Sequence, residues 1–337
     1  MVVAPGPEFS VMDVYRGWIR GLSDVGVEVR GFNLHDRIAV YTEAELERQG
    51  ERVKVFSLDA AIEMTMEGLR GQLYDFWPEV VIFVSGFFLK GELIDHLRSR
   101  GHKVVIVHTE SPYEDDRQLQ LAPHATANIL NDPTNLDAFA EVTERGRAWY
   151  FPHAYDPAVH HDQGRTDVYD FGFVGTGYDS RIRYFEQVDF GAARVALAGN
   201  WQQLDGSSTL RAYTLHADEE CIDNHQTANL YRQSACSANL YRREANRPEL
   251  SAGWAMGPRE VELAATRTFF ARDPRPESDE VFPMLPTVTS PAELADVIRW
   301  SMTHEVEREE AAAKAQAAIA DRTFTANAAQ LLTLLDA

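Results

Sequence analysis

Residues 239–273, NLYRREANRPELSAGWAMGPREVELAATRTFFARD, have the build of a ligand loop running into a helix start. Gly253, Gly257 and Pro258 break the chain directly before Arg259, Glu262, Leu263 and Ala265. Arg259 and Glu262 stand three residues apart and so share a helix face, beside an opening turn whose backbone N–H groups suit an anion. The run ATRTFFARD that follows reads as a short buried strand ending in charge. Two readings fit this pattern. In one, Glu262 binds hydroxyls while Arg259 and the N–H groups neutralise phosphate, a division of labour suited to a sugar diphosphate. In the other, the helix is a capped surface helix whose Arg and Glu pair with each other.

The same alternation extends toward the N-terminus. MVVAP, GPEFS and the helical run carrying Val11, Val14, Tyr15, Trp18, Ile19 and Leu22 lead to a second strand, VEVRGF, which is a βαβ opening. Gly6–Ser10 matches no dinucleotide or Walker fingerprint and is either an acceptor-side loop or a plain connection. EVVIFVSGFF is a continuous apolar strand, ELIDHLRSRG a helix closed by Gly101, and HKVVIVHTESPYEDD a strand running into a polar loop. These runs predict a parallel sheet covered on both faces. His108, Glu110 and Asp115 fall just past a buried strand, where this fold class does its chemistry. ATANILNDP and TNLDAFAEVTERG add a strand and a helix with Asp132 near its cap. His153, after WYFP, sits where the first half ends, either as a cleft imidazole or as a structural one. The adjacent His160 and His161 cannot both face one metal, so no metal site is expected.

FGFVGTGYDSRIRYFEQ restarts the pattern of strand, glycine loop and helix, and so predicts a second α/β domain. Gly175, Thr176 and Gly177 permit close approach of a ligand, with N–H donors at a helix opening near Asp179 or Ser180. ARVALAGNW is a strand ending at Asn200 and Trp201, and Trp201 either stacks on a base or sugar or packs in the core. NLYR occurs at 229–232 and again at 239–242, the first copy read as helical and the second as following a buried strand. EVEREEAAAKAQAAIA reads as a solvated helix, and the closing run NAAQLLTLLDA as an amphipathic one.

A chain of 337 residues is long enough for two domains. The formal net charge of −20 argues against a large nucleic-acid footprint, which needs clustered Lys and Arg. No run approaches the length of a membrane span, and no signal peptide is visible. Cys221 and Cys236 have no metal-ligand spacing and form no disulfide framework, so reduced thiols and a cytoplasmic setting are expected.

The run SANLYRREANRPELSAGWAMGPREVELAATRTFFARD, followed by DEVFP, SPAELADVIRWSM and ADRTF, resembles the CgeB-like glycosyltransferases. The S-P-Y loop, the N-D-P turn and the F-P-H-A-Y-D-P hinge extend the likeness over most of the chain. The resemblance implies a GT-B architecture: two Rossmann-like domains with parallel sheets facing across a cleft. It implies residues 1–153 as the acceptor side, 154–315 as the donor side, and 316–337 as a helix packing back across the domains.

The implied activity is of hexosyltransferase type, moving a sugar from a nucleotide-sugar, with a UDP-sugar foremost, to a protein or glycan acceptor without a metal or other cofactor. Carried onto this sequence, Glu262 meets the donor sugar or ribose and Arg259 the diphosphate. Arg181 and Arg243 are further cations, with Asn200, Trp201, Asn239, Tyr241 and Gly257 lining the donor side. Many retaining members carry two glutamates in this loop, but Trp254 occupies the first of those positions, which leaves the stereochemical outcome open. Glu110, Asp13 and His153 are the candidates for general base. The alternatives are a DNA-modifying glycosyltransferase, a nucleotide-sugar-binding module without turnover, and a nucleotide-sugar epimerase.

Overall fold

In the computed structural model, which describes residues 1–4, 9–86, 89–217, 221–243 and 253–336, the apolar runs become the strands of two parallel sheets. The chain divides into two units, Met1–Phe151 with Ala328–Ala337, and Pro152–Asn327. In chain order the strands of the first unit are β1 Val2–Ala4, β2 Gly31–Asn33, β3 Glu45–Arg48, β4 Glu51–Lys54, β5 Val80–Val84, β6 Lys103–His108, β7 Ala127–Leu130 and β8 Ala148–Tyr150. Six of them form one sheet in the order β2-β1-β5-β6-β7-β8, parallel throughout. Near-continuous burial along β5, β6 and β7 reflects a sheet covered on both faces.

The second unit holds β9 Tyr169–Val174, β10 Val195–Ala198, β11 Ser234–Asn239 and β12 Phe269–Arg272, in the order β10-β9-β11-β12, again all parallel. Its core is aromatic: Phe171, Phe173, Phe185, Trp201, Phe270 and Phe282 are all fully buried. The two NLYR copies separate as their contexts require. The first ends the helix Asn224–Arg232, and the second begins on the last residue of β11.

Several expectations need correction. The strand read over VEVRGF is confined to Gly31–Asn33, because Val27 and Glu28 are exposed and pairing with β1 starts only at Gly31. Between β2 and β5 lie three features outside the expected elements: a helix at Leu34–Glu43, the exposed antiparallel hairpin β3-β4 and a helix at Leu58–Phe76. The second helix buries Ala61, Thr65, Leu69 and Leu73, a four-residue repeat that the sequence displays plainly.

Asp132 accepts from the Thr134 N–H at 2.8 Å and so caps the turn before the helix Leu136–Val142, not the helix itself. The helix Glu305–Ala318 is not solvated all round. Arg308, Ala312 and Ala315 are buried, the alanines in the core of the second unit, because a stripe of small side chains lets the helix approach closely. The last helix, Phe324–Asp336, belongs to the second unit up to Asn327 and to the first from Ala328, where Lys103 Nζ donates to the Leu335 carbonyl at 3.0 Å. Gly6–Glu8 of the N-terminal loop and Glu244–Ala252 of the opening stretch lie outside the described residues.

Candidate functional site

In parallel α/β units ligands collect at the carboxyl ends of the strands. In the second unit these ends are drawn together by Arg259 and Arg181. Arg259, in the helix Pro258–Ala265, donates from Nε to the Val174 carbonyl and from Nη1 to Asn239 Oδ1, both at 2.9 Å. One side chain thus ties the end of β9 to the end of β11, with its guanidinium over the Phe173 ring. A Cβ on Gly175 would lie 2.5 Å from Arg259 Nη2, and one on Gly199, whose φ is +104°, would lie 2.5 Å from the Gly175 carbonyl oxygen. Glycine at both positions is therefore a requirement of close approach.

The glycine loop is spoken for by its own neighbours. Gly175 N–H donates to the Ala198 carbonyl and Gly177 N–H to that of Asn200. Arg181 is buried and donates to the carbonyls of Thr176 at 3.0 Å and Leu240 at 2.6 Å. Trp201 is 1 % exposed, and its indole N–H donates to the Ala198 carbonyl, so the ring packs in the core against Phe173 and Phe185. Thr176 and Asn200 are half-buried on the same edge. Arg243 is exposed, with Nη2 3.6 Å from Asp273 Oδ1.

The turn opening the helix at Pro258 is built on a residue the sequence reading passed over. Glu260, fully buried, accepts from the Gly257 N–H, the Tyr241 hydroxyl and Ser278 Oγ. This is half of a capping box, with glycine in place of the usual hydroxyl residue. Burial pushes the Glu260 carboxyl up, against the pull of those hydrogen bonds.

Glu277, also buried, accepts from the Met256 N–H at 2.7 Å and from Arg322 Nη1 at 2.7 Å. The ADRTF run near the C-terminus thereby holds the loop that the opening stretch marked. Arg275 lies 4.0 Å over the Tyr241 ring and donates to the Gly253 carbonyl. Arg267, just past the helix Pro258–Ala265, adopts the left-handed backbone that favours glycine, with φ +56°.

Glu262 stands apart from this network. It is half-buried, and among the described residues its carboxylate takes part in no hydrogen bond or ion pair, Arg259 included. The reading of a capped surface helix with a paired Arg and Glu therefore fails. The Glu262 charge is felt by two buried polar side chains, Tyr231 and His160. Burial and then the Glu262 charge push the Tyr231 phenol up. Burial lowers the His160 imidazole, and the Glu262 charge opposes it. His160 Nε2 sits 3.2 Å from Asn224 Oδ1. Among the described residues no three His, Cys, Asp or Glu side chains come together as a metal site would require.

The general-base candidates do not share a unit. Asp13 and Glu110 belong to the first unit, half-buried past β1 and β6, two strands that β5 separates. His153 belongs to the second. His108, on β6, is a core residue. Asn128 donates both amide hydrogens, to the Ala122 carbonyl and Thr143 Oγ1, so its Oδ1 must accept from His108 Nε2 at 2.8 Å.

Burial lowers the His108 imidazole to about 4. The unfolded chain takes up this proton near the ordinary value of about 6.5. The stability contributed by neutral His108 is therefore complete above about 6.5 and is lost as pH falls through about 4. Denaturant unfolding of wild type and His108→Gln between pH 4 and 7 checks this. The wild-type slope should exceed the variant's, and equal slopes would contradict it.

Cys236 is buried, its thiol pushed up to about 12 by burial, and is chemically quiet, whereas Cys221 is exposed. Among the described residues no helix is long and apolar enough to cross a membrane.

Residues 176–333, just under half of the chain, match a family model described as glycosyl transferase-like. The chain is similar in fold to sucrose-phosphate synthase from Thermosynechococcus elongatus, with a TM-score of 0.63 at 11 % identity over 96 % of this chain and 92 % of that one. It is similar to Anabaena Alr3699/HepE solved with UDP, with a TM-score of 0.56 at 11 % identity over 99 % of both chains. A putative UDP-N-acetylglucosamine 2-epimerase from Listeria monocytogenes also aligns, with a TM-score of 0.60 at 10 % identity over 99 % of this chain and 95 % of that one. No curated protein matches in sequence. The fold is the α/β GT-B fold, and with the family match it supports a glycosyltransferase enzyme.

Proposed function

We propose that the chain is a glycosyltransferase that carries a nucleotide-sugar on the strand ends of its second unit and passes the sugar to a protein or glycan acceptor. One observation carries this reading. Arg259 and Glu262 share a helix face as the sequence pattern requires, yet Arg259 closes the strand ends through Nε and Nη1 while, among the described residues, the Glu262 carboxylate is unengaged. A carboxylate held half-buried without a donor is a receiver for the hydroxyls of a ribose or sugar. The family match over 176–333 covers the same elements.

In this reading departure of the nucleoside diphosphate leaves negative charge on the diphosphate, which Arg259 and the exposed Arg243 stabilise without a metal. Arg181 contributes indirectly, by fixing the loops after β9 and β11. A UDP-sugar is the leading donor, since UDP is bound in the Anabaena relative. The subfamily is the CgeB-like one that the sequence resembles, and its setting is the cytoplasm. The base that takes the acceptor proton is Glu110, Asp13 or His153. A DNA acceptor is disfavoured by the net charge of −20.

The epimerase fold neighbour gives a second reading with a distinct product. The test is turnover of UDP-, GDP-, ADP- and TDP-sugars with chelator present. Release of nucleoside diphosphate with a glycosylated acceptor supports transfer, whereas conversion of one nucleotide-sugar into its epimer supports the second reading. Turnover that appears only without chelator overturns the metal-free step.

A further inference from the structure

One feature of the second unit is used by neither Arg259 nor Glu262. Asp273 follows β12 directly, is 5 % exposed, and accepts from the Tyr241 N–H through Oδ2 at 2.9 Å. Among the described residues its other oxygen, Oδ1, is enclosed and accepts no hydrogen bond, and its ion pair with Arg243 Nη2 is a long one, at 3.6 Å. Asp273 forms one wall of a small recess whose other walls are Ser180, Arg181, Tyr184, Leu240, Tyr241 and Arg243. A buried carboxylate oxygen without a donor is costly, and proteins keep such atoms where a ligand or water completes them.

We infer that this recess reads two neighbouring hydroxyls on one edge of the transferred sugar, with Asp273 Oδ1 as the acceptor of their hydrogen bonds. The inference rests on the donor assignment proposed above. The chemistry of the walls selects the ligand class. A free anion is repelled by the carboxylate, and a cation by the neighbouring guanidinium groups. A hydroxyl is both donor and acceptor, so a vicinal diol can donate to Asp273 and accept from Arg243 at once. The recess has the size of a water molecule, so hydroxyl groups reach into it while the ring stays outside. Asp273 is therefore a specificity residue, and Arg243 is the group that the recess shares with the diphosphate.

The test compares Asp273→Asn with wild type. Asparagine keeps an oxygen for the Tyr241 N–H and removes the charge. Affinities are measured by calorimetry for UDP, for UDP-glucose and for its 2-, 3-, 4- and 6-deoxyfluoro analogues, whose fluorine cannot donate. UDP should bind wild type and variant within about 2-fold, while UDP-glucose should bind the variant about 10-fold more weakly. Two adjacent deoxyfluoro positions should weaken wild type and leave the variant unchanged. Equal losses for UDP and UDP-glucose would assign Asp273 a structural role and overturn the inference, as would a deoxyfluoro profile identical in the two proteins. Asp273→Glu, which keeps the charge and fills the recess, gives a second check should the asparagine variant not fold: it should exclude the sugar and retain UDP. Failure of wild type to bind either UDP or UDP-glucose would instead remove the UDP-donor reading on which the inference stands.

Discussion

Glu262→Gln is expected to lower kcat/KM for the nucleotide-sugar by about 10- to 100-fold, the worth of a hydrogen bond to a charged group, while leaving thermal unfolding unchanged. The two halves of this expectation have separate causes. The carboxylate supports no other part of the described structure, so neutralising it removes no contact that the fold uses. It influences buried Tyr231 and His160 electrostatically, so the loss falls on whatever it receives from the ligand side. Glu262→Ala should behave similarly and more severely. Glu260→Gln is the contrasting control, because Glu260 is buried and closes the helix turn, and its replacement should cost stability first. Steady-state turnover of Glu262→Gln near the wild-type value would remove Glu262 from the site.

Arg322→Ala should destabilise the second unit by about 3–5 kcal/mol, because it removes the cation paired with the buried Glu277 carboxylate. Glu277 carries the Met256 N–H on its other oxygen, so the loss reaches the loop 253–257 and with it the turn before Arg259. Nucleotide binding should weaken together with stability, in contrast to Glu262→Gln. A double-mutant cycle with Glu277→Gln isolates the pair: the double variant should be more stable than the sum of the single losses predicts. Strict additivity in urea unfolding would show that the two side chains do not act as a unit.

Much of this architecture is legible in the residues because the strands β5, β6, β7 and β10 are almost wholly apolar and each is followed by a glycine or polar turn. The glycines at 175 and 177 announce close approach, and the structure supplies the partners, the Arg259 guanidinium at the first and the Trp201 ring at the second. What the sequence conceals is how polar groups are spent. Arg181 and Trp201 have the right chemistry for a donor site, yet the first is committed to two carbonyls and the second to the core, which no one-dimensional pattern reveals. Glu260 and Glu262 differ by two positions on one helix, and only the fold shows that the first is structural and the second unengaged. Asp273 reads only as a charge at a strand end, and Glu277 and Arg322 carry no local signal, since their partners lie 32, 21 and 45 residues away. The helix Leu58–Phe76 is the exception, a missed element whose four-residue spacing stood in plain view.

The most direct measurement of the central claim is thermal unfolding of the full chain with UDP-, GDP-, ADP- and TDP-sugars, each with and without chelator. A ligand bound to the native state alone raises the midpoint in proportion to the logarithm of its concentration over Kd. The account predicts stabilisation by one class of nucleotide-sugar, undiminished by chelator and reduced in Glu262→Ala. A folded protein whose midpoint moves with none of them would contradict it.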